Sequence, residues 1–341
     1  MRAAFGERFD VPAGYLDTAS IGIPTHTTGE ATEEAVRRWR AGADRAPDFD
    51  EPVSVARRAW AELVGVPAHR VAISASVSQL VSLVAAGLPD GSRVLVAGGE
   101  FTSVSFPFAV RPGLSVTEAA PDALLSTVAG HDLVAVSVVQ SADGRVLDVA
   151  GLLAAARAAG ARVLLDVTQA AGWLPLRLDG ADWVVGASYK WLLAPRGAAW
   201  LATSEEAMAA TVPVAANWYS GDDPWQTVYG LPLRLAGDAR RLDLAPVWLA
   251  QVGAAAALPW LAGLDASAVR AHCVGLANEL LRGLGRPAGD SAIVSLDLDR
   301  GAAARLAAAG VRAAVRAGRT RLSFHLYNTA DDVRLVLDAL A

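Results

Sequence analysis

In this chain of 341 residues cysteine, lysine and long apolar runs are scarce or absent, and these absences exclude several classes of structure and site. The single cysteine, Cys273, cannot form a disulfide within the chain, which is typical of a protein from the reducing cytoplasm. No apolar run approaches the roughly 18 residues that cross a bilayer, and the N-terminus lacks the apolar core of a secretory signal. The histidines lack the spacing of metal ligands, so we predict no metal site. Of the 30 basic residues only Lys190 is a lysine, and the remaining 29 are arginines.

Charge and composition limit the partners of the chain. The net charge is −5 and the arginines are scattered, so there is no basic face for nucleic acid. Hydrophobic residues make up 53% of the chain and charged residues 19%, which is enough for a large buried core. The length suits two domains. We therefore expect neither nucleic acid nor a membrane as a partner.

Short apolar runs alternate with alanine-rich stretches through most of the chain. The runs are dense in Val and Leu, which is typical of strands that are buried on both faces. The stretches at 120–131 and 148–161 have high helix propensity. This alternation predicts an α/β fold with a mostly parallel sheet between helices. We expect the strands at 93–99, 132–139, 162–168, 182–188 and 197–203.

The last part of the chain has a different pattern, which predicts a smaller α+β domain. Pro and Gly within 258–265 interrupt the preceding pattern and indicate a boundary. We expect helices and strands in turn at 267–285, 291–298, 300–310, 320–327 and from about 330. We divide the chain into a large domain, a small C-terminal domain and an N-terminal segment packing near the small one: 15–262, 263–341 and 1–14.

Lys190 directly follows the predicted strand at 182–188. Ligands of open α/β sheets bind at the carboxyl ends of the strands. Arginine stays protonated there, whereas a lysine with a lowered pKa can act as a nucleophile. Lys190 is therefore either such an amine or a surface charge that escaped the preference for arginine.

Asp166 lies at the end of another apolar strand, with Gln169 three residues later. A carboxylate in such surroundings needs a cationic partner, and a protonated pyridine nitrogen can be that partner. The alternative is that Asp166 caps the N-terminus of a helix, which is a frequent role for aspartate.

Two segments together carry a resemblance to a known family. LLDVTQAAG, with Asp166, and GASYKWLLAPRG, with Lys190, resemble the class V aminotransferase superfamily of fold type I pyridoxal-phosphate enzymes. GYLDTASIGIP near the start is similar to the opening of kynureninases, and RLSFHLYNTADDVRLVLDAL resembles the C-terminus of cysteine desulfurases. The resemblance covers nearly the whole chain. It implies a seven-stranded type of sheet, pyridoxal 5'-phosphate as cofactor, an amino-acid substrate and a homodimer with shared active sites.

The resemblance also implies roles for the residues around the cofactor ring. Lys190 forms the internal aldimine and, once the substrate amine has displaced it, removes the Cα proton. Asp166 pairs with the pyridine nitrogen, and Gln169 bonds the phenolic oxygen. Phe101 stacks on the ring, although this residue alone would be interpreted as core packing.

Further contacts are implied for the cofactor phosphate. The backbone N–H groups of Ser76 and Val77 hold it at a helix start, where a serine is also an ordinary N-cap. Ser188 adds a hydroxyl, and Tyr189 stands where desulfurases have histidine and kynureninases have tyrosine. Trp218 resembles a kynureninase tryptophan near the cofactor, supplied across a dimer interface; an ordinary interface aromatic is the alternative.

Arg321 and Ser20 are the expected substrate contacts. The family places an arginine at the position of Arg321 to bind the α-carboxylate, which a guanidinium grips with two hydrogen bonds. A surface role is the alternative in a chain so rich in arginine. Residues 321, 323 and 325 are predicted to share one strand face.

Three departures from the family pattern narrow the reaction. No cysteine lies between the 291–298 strand and Arg321, where desulfurases carry their mobile-loop cysteine, and Cys273 is expected in the core of a helix. A persulfide-forming desulfurase is therefore not expected. Ala19 and Ala245 stand where kynureninases have asparagine. We predict an aminotransferase-type enzyme, with a β-eliminating lyase or an epimerase as the alternative.

The sequence disfavours two other classes of protein. A nucleotide-dependent dehydrogenase needs a G-x-G-x-x-G motif after its first strand, and the chain has none. A non-catalytic binding protein with the same fold is disfavoured by the presence of both Lys190 and Asp166.

Overall fold

The computed structural model describes all 341 residues and contains twelve strands and eleven α-helices. The strands are β1 (Arg2–Ala4), β2 (Glu7–Phe9), β3 (Val71–Ser74), β4 (Arg93–Ala97), β5 (Ser115–Ala119), β6 (Leu133–Ser137), β7 (Arg162–Asp166), β8 (Trp183–Ala187), β9 (Ala199–Thr203), β10 (Ile293–Leu296), β11 (Ala314–Arg316) and β12 (Arg319–Ser323). The helices are α1 (His26–Arg40), α2 (Asp50–Val64), α3 (Val77–Gly87), α4 (Thr102–Ala109), α5 (Leu124–Thr127), α6 (Val149–Ala159), α7 (Glu205–Ala210), α8 (Trp248–Ala262), α9 (Ala266–Gly283), α10 (Arg300–Ala308) and α11 (Ala330–Leu340).

The central sheet has seven strands in the order β3-β9-β8-β7-β6-β4-β5. The neighbouring strands from β8 to β5 are all parallel, and β9 runs antiparallel to both β8 and β3. The predicted α/β fold with a mostly parallel seven-stranded sheet is confirmed. Its parallel part places the carboxyl ends of β4, β6, β7 and β8 along one edge.

Helices cover both faces of this sheet, which explains the unbroken apolar runs in the sequence. Along β6, Leu133 and Ala135 belong to one apolar core, and Val134 and Val136 belong to the core on the opposite face. Every residue of β6, β8 and β9 is buried. Removing apolar side chains from water on both faces stabilises the sheet by roughly 25 cal/mol per Å².

A second, smaller sheet lies near the C-terminus, in the antiparallel order β10-β12-β11. Its apolar face forms a separate core with α9, α10 and α11, which includes Leu322 and Phe324. The hairpin of β1 and β2 contacts α11 through an ion pair between Arg2 and Asp332. The division of the chain at residues 262 and 263 stays a prediction.

Two sequence-based expectations need correction. The helix expected at 120–131 is only a 3-10 turn at Pro121–Ala123 followed by one turn of α5. The strand expected at 320–327 ends at Ser323, because Asn328 closes a turn by accepting the His325 N–H at 2.8 Å. The alternation of strand faces therefore does not extend to His325.

No single helix combines the length and hydropathy of a membrane span; α8 and α9 satisfy the criterion only as a pair bent by 93°.

Candidate active site

A cavity opens at the edge of the sheet where the parallel strands end. Phe101 follows β4, Ser141 follows β6, Gln169 follows β7 and Lys190 follows β8, and all four line this cavity. The start of α3 closes another side. The parallel register alone brings these segments together, because it aligns the carboxyl ends of neighbouring strands.

Lys190 lies inside the cavity with 5% of its surface exposed. Burial lowers the pKa of its amine to about 8, with the Asp166 carboxylate acting in the opposite direction. Its Nζ is 5.2 Å from the ring centre of Phe101 and 5.6 Å from that of Tyr189. The amine is therefore held between two aromatic rings and gains a neutral fraction near neutral pH.

Asp166 is the last residue of β7 and is buried. Burial raises the pKa of its carboxyl to about 6, while hydrogen bonds from Thr168 lower it; the Thr168 N–H donates to Oδ1 at 2.8 Å. The carboxylate has no ion-pair partner within 4 Å in the structure. A buried acid without a paired cation is suited to a cationic ring nitrogen.

The other lining residues fit the remaining parts of pyridoxal phosphate. Ser76 caps α3, and the N–H groups of Val77 and Ser78 lie in the first turn, where a helix offers no internal acceptor. An anion is favoured there by these groups and by the helix dipole. Phe101 presents a ring at the opening, with 42% of its surface exposed. The cavity thus offers an anion site, an aromatic face, an amine and a buried acid.

Gln169 lines the cavity, but its side chain is already bonded within the protein. Its Nε2 donates to the Ala19 carbonyl at 2.9 Å and to the Ser141 hydroxyl at 3.1 Å. Its Oε1 accepts from the indole of Trp191 at 2.7 Å. Both amide hydrogens are in use, so a bond to the phenolic oxygen requires one of these contacts to open. That role stays a prediction.

Two of the expected cofactor contacts lie away from the cavity. The Ser188 hydroxyl is fully buried and donates to the Pro195 carbonyl at 2.5 Å, so it faces the turn after Lys190 instead of the phosphate site. Trp218 packs on Trp225 at 4.9 Å between ring centres, and lines a separate pocket. Within one chain, neither of these two side chains therefore lines the cavity that contains Lys190.

Arg321 and Ser20 come together next to the cavity. Arg321 is 1% exposed, and its Nη2 donates to the Ser20 hydroxyl at 2.8 Å. Its Nη1 donates to the Ser141 carbonyl at 2.5 Å, and its Nε has no partner. Burial lowers the pKa of the guanidinium to about 10, and the nearby Arg316 adds to this effect. The guanidinium is thus held by hydrogen bonds and by an ion pair with Asp17 at 3.9 Å, and its buried Nε is left as an unpaired donor.

Three residues at the site were missed in the sequence. The Ser141 hydroxyl accepts from both Gln169 and Arg321, and so links the two groups. The Glu100 carboxylate accepts four hydrogen bonds at the end of β4. Gly22 lies against the Lys190 backbone. The sequence held one indication of these residues, which is that Glu100 directly precedes Phe101, a predicted cofactor contact.

Cys273 is fully buried in α9, as expected for a core residue. Burial raises the pKa of its thiol, and its Sγ lies 3.9 Å from Nδ1 of His325. Burial lowers the pKa of His325 to about 3, so the imidazole is neutral and cannot favour a thiolate.

Comparison with known proteins places this chain in a family. The family model of aminotransferase class-V matches residues 41–294, and the chain belongs to that family. A kynureninase from Deinococcus radiodurans is 29% identical over 302 residues, which cover 80% of this chain and 72% of that protein. The resemblance seen in the sequence is confirmed.

Solved structures agree on the fold. A cystine C–S lyase, C-DES, bound to its product cysteine persulfide has a TM-score of 0.85 and 20% identity, covering 97% of both chains. The cysteine desulfurase CsdA from Escherichia coli has a TM-score of 0.83 and 20% identity, covering 98% of this chain and 96% of its own. A C-DES variant carries glycine linked to its PLP cofactor. The chain is a fold type I protein, and pyridoxal phosphate is its cofactor.

Proposed function

We propose that this chain is an aminotransferase-type enzyme that takes an amino acid and removes its Cα proton with Lys190. The observation that carries the proposal is the buried Lys190 amine with a pKa of about 8, inside a cavity whose buried acid is Asp166. A surface lysine has neither the burial nor the lowered pKa.

The roles of the protein groups follow from their surroundings. When bound, pyridoxal phosphate supplies an electron sink that makes the Cα–H bond of an attached amino acid acidic. Asp166, which lines the cavity, would hold the positive charge of the ring nitrogen, since its carboxylate has no ion-pair partner within 4 Å. The Lys190 amine, neutral in part at physiological pH, accepts the proton from Cα.

Arg321 and Ser20 orient the substrate. We propose that the guanidinium binds the α-carboxylate, using the Nε that lacks a partner in the structure. Its two bonds to Ser141 and its bond to Ser20 hold the group in place beforehand. Pre-organised donors of this kind lower the entropy lost when the substrate binds.

The fate of the proton separates the possible reactions. In an aminotransferase Lys190 delivers it to an atom other than Cα. In an epimerase Cα receives a proton on the opposite face, which a donor other than Lys190 must supply. In a β-lyase a substituent leaves the β-carbon instead. We place the aminotransferase first and keep the β-lyase and the epimerase as the alternative.

We propose that the reaction does not proceed through a persulfide on cysteine, although CsdA shares the fold. The only thiol, that of Cys273, is fully buried inside a helix, and burial raises its pKa. A nucleophilic thiolate needs exposure and a lowered pKa.

The single lysine allows a sharp test of the cofactor attachment. Purified protein incubated with pyridoxal phosphate should be yellow, and borohydride should fix one cofactor on the peptide of Lys190, as seen by mass spectrometry. Lys190→Arg keeps the charge and removes the only lysine, so neither the visible band nor the modified peptide should form. As a matched control, Arg58→Lys on the exposed face of α2 should not restore the band in the Lys190→Arg background. A band or activity that survives Lys190→Arg contradicts the mechanism.

A substrate panel then separates the reactions. The holoenzyme is mixed with single amino acids in D2O, and Cα deuterium exchange, keto-acid release and sulfide release are scored in parallel. Keto acid with conversion of the cofactor to its amine form supports the aminotransferase, exchange alone supports the epimerase, and pyruvate with a released thiol supports the lyase. No exchange with any amino acid contradicts the proposed function.

We also propose a homodimer that acts in the cytoplasm. Tyr229 and Leu231 are 92% and 90% exposed, in the segment that follows Trp218, and large apolar side chains at such exposure favour a protein interface. A strictly monomeric active enzyme in light scattering would contradict the dimer.

A further inference from the structure

Two arginines meet at one neutral hydroxyl beside the cavity. The Ser20 Oγ accepts from Arg321 Nη2 at 2.8 Å and from Arg316 Nη2 at 3.1 Å. Arg321 is buried, whereas Arg316 is exposed at the end of β11. The register of the small sheet causes this meeting, because it pairs Ala314 with Arg321 and leaves Arg316 on the same strand face two residues away.

Only one carboxylate, that of Asp17, forms an ion pair with either of these arginines. Arg316 makes hydrogen bonds only to its neighbour Val315 and to Ser20, and forms no ion pair. The nearest acid to Arg321 is Asp17, at 3.9 Å, which is outside hydrogen-bond distance. Arg316 lowers the pKa of both Lys190 and Arg321, so its charge acts on the reaction centre.

A third cation continues this positive surface. Arg196 lines the cofactor cavity and an adjoining cavity, and its guanidinium lies 5.0 Å from the ring centre of Tyr189 without a hydrogen bond or ion pair. Ser20 lines the adjoining cavity as well. The only acidic side chain lining that cavity is Glu33. Around Ser20, three arginines (Arg196, Arg316 and Arg321) therefore stand against two carboxylates, those of Glu33 and Asp17.

One substrate carboxylate cannot use all of these groups. The free Nε of Arg321 accounts for the α-carboxylate, and the first turn of α3 accounts for the cofactor phosphate. Arg316 remains without an anion, one hydroxyl away from Arg321. Two guanidinium groups that share one hydroxyl and have only Asp17 as a counter-ion repel each other, and a further anion at Arg316 reduces that repulsion.

We propose that the substrate is an amino acid whose side chain ends in an anionic group, bound by Arg316 while Arg321 binds the α-carboxylate. This inference rests on the proposed function and specifies its substrate class. Carboxylate, sulfinate and phosphate groups share the required chemistry. An uncharged amino acid of the same shape leaves Arg316 without an anionic partner, so Arg316 adds no binding energy for it.

The test compares matched pairs of amino acids on the holoenzyme. The pairs are aspartate with asparagine, glutamate with glutamine, and O-phosphoserine with serine, and cysteine sulfinate is added as a further anion. The readouts are the dissociation constant from the change in the visible band and the rate of Cα deuterium exchange. We expect the anionic member of at least one pair to bind about ten- to hundred-fold more tightly, the range of one charged hydrogen-bonded contact. Which pair responds identifies the anionic group.

Variants assign the preference to Arg316. Arg316→Gln should abolish the preference by lowering the affinity for the anionic member far more than that for the neutral member, and Arg316→Lys should retain part of the preference. Arg319→Gln is the matched control, because Arg319 lies directly across from Arg316 but bonds Ser295. It should leave the preference intact.

Two outcomes overturn the inference in distinguishable ways. Equal or better use of neutral amino acids by the wild type, or an equal loss for both members in Arg316→Gln, overturns the substrate class alone. Absence of Cα exchange with every amino acid overturns the proposed function, and the substrate class with it.

Discussion

At the scale of single residues, burial determines the chemistry of the lysine. The chain has one amine-bearing side chain, and the fold removes 95% of it from water between Phe101 and Tyr189. Desolvation lowers the pKa of the Lys190 amine. The nearby carboxylate of Asp166 raises this pKa, but by less than desolvation lowers it. The result is an amine that is partly neutral near physiological pH.

The pKa of Lys190 predicts how the apoprotein captures its cofactor. Below pH 8 the amine is mostly protonated and cannot attack an aldehyde; above pH 8 it is mostly neutral. The rate of capture should therefore rise with pH and level off above about 8, whereas an ordinary lysine would continue to gain up to about 10.4. Borohydride quenching at intervals and mass spectrometry measure this rate. A rate that still rises at pH 10 contradicts the lowered pKa.

Gly22 sets the position of the Lys190 backbone. Its N–H donates to the Tyr189 carbonyl at 2.9 Å, and a Cβ at this position would overlap the Lys190 carbonyl oxygen. Gly22→Ala should displace Lys190 and weaken cofactor binding at least about tenfold, the effect of roughly 1.4 kcal/mol. Gly29→Ala is the control, because that Cβ meets nothing within 4 Å. It should bind normally and gain up to about 1 kcal/mol of stability from helix propensity. Equal cofactor affinity in the two variants would contradict the packing argument.

At the scale of elements, strand ends are tied together by a buried acid. The Glu100 carboxylate accepts the N–H and hydroxyl of Ser137, the amide of Gln140 and the N–H of Phe101, at 2.6 to 2.9 Å. These bonds join the loop between β4 and α4 to the end of β6. They determine where the Phe101 ring stands over the cavity.

Replacing this acid tests the connection. In Glu100→Gln an amide NH2 faces donors, so the Phe101 loop loses contacts and the variant should lose about 1–3 kcal/mol of unfolding free energy. The cofactor dissociation constant should rise about tenfold. Glu100 also raises the pKa of Asp166, so that pKa should fall in the variant. Glu118→Gln on exposed β5 is the control and should change none of these. Denaturant titration and absorbance titration measure both quantities, and an unchanged cofactor affinity would show that Glu100 is only structural.

At the scale of the whole molecule, the two ends of the chain are joined. Arg2 of the N-terminal hairpin bonds Asp332 of α11, and Asp332 also accepts from Gly14, Asn328 and Thr329. Burial raises the pKa of this carboxyl, but the hydrogen bonds outweigh it and the net pKa is lowered. The ionised form therefore stabilises the fold.

This linkage has a defined pH dependence. The stabilisation is complete above the unfolded pKa of about 3.9 and is lost as the pH falls through the lower folded pKa. Arg2→Ala should lose about 1–3 kcal/mol at neutral pH and unfold at a higher pH in acid titrations. Arg334→Ala, on the exposed side of the same helix, should stay within about 0.5 kcal/mol. Circular dichroism across pH 2–7 measures the stability of both variants. Equal losses of unfolding free energy in the two variants would show that the Arg2–Asp332 pair does not stabilise the fold.

Much of the fold and part of the site were predictable from the sequence. Runs of Val and Leu indicated strands covered on both faces, and parallel strands put their carboxyl ends at one edge, so Lys190 and Asp166 were expected together. The short exposed strands β5 and β11 carry too little apolar pattern to be predicted. The 120–131 segment was overpredicted, because helix propensity alone does not set where a helix stops.

The sequence by itself determined the mostly parallel sheet and identified Lys190 as the candidate reactive amine, because hydrophobic period and residue chemistry are local properties. Only the tertiary structure decided which polar groups meet. Arg321 and Ser20 are 301 residues apart in sequence and lie 2.8 Å apart, and no local pattern encodes such a contact. The Ser188 hydroxyl donates to the Pro195 carbonyl and does not line the cavity. The tertiary structure also sets the pKa of Lys190. The amine loses contact with water only when the surrounding helices and strands pack around it, and this burial lowers its pKa.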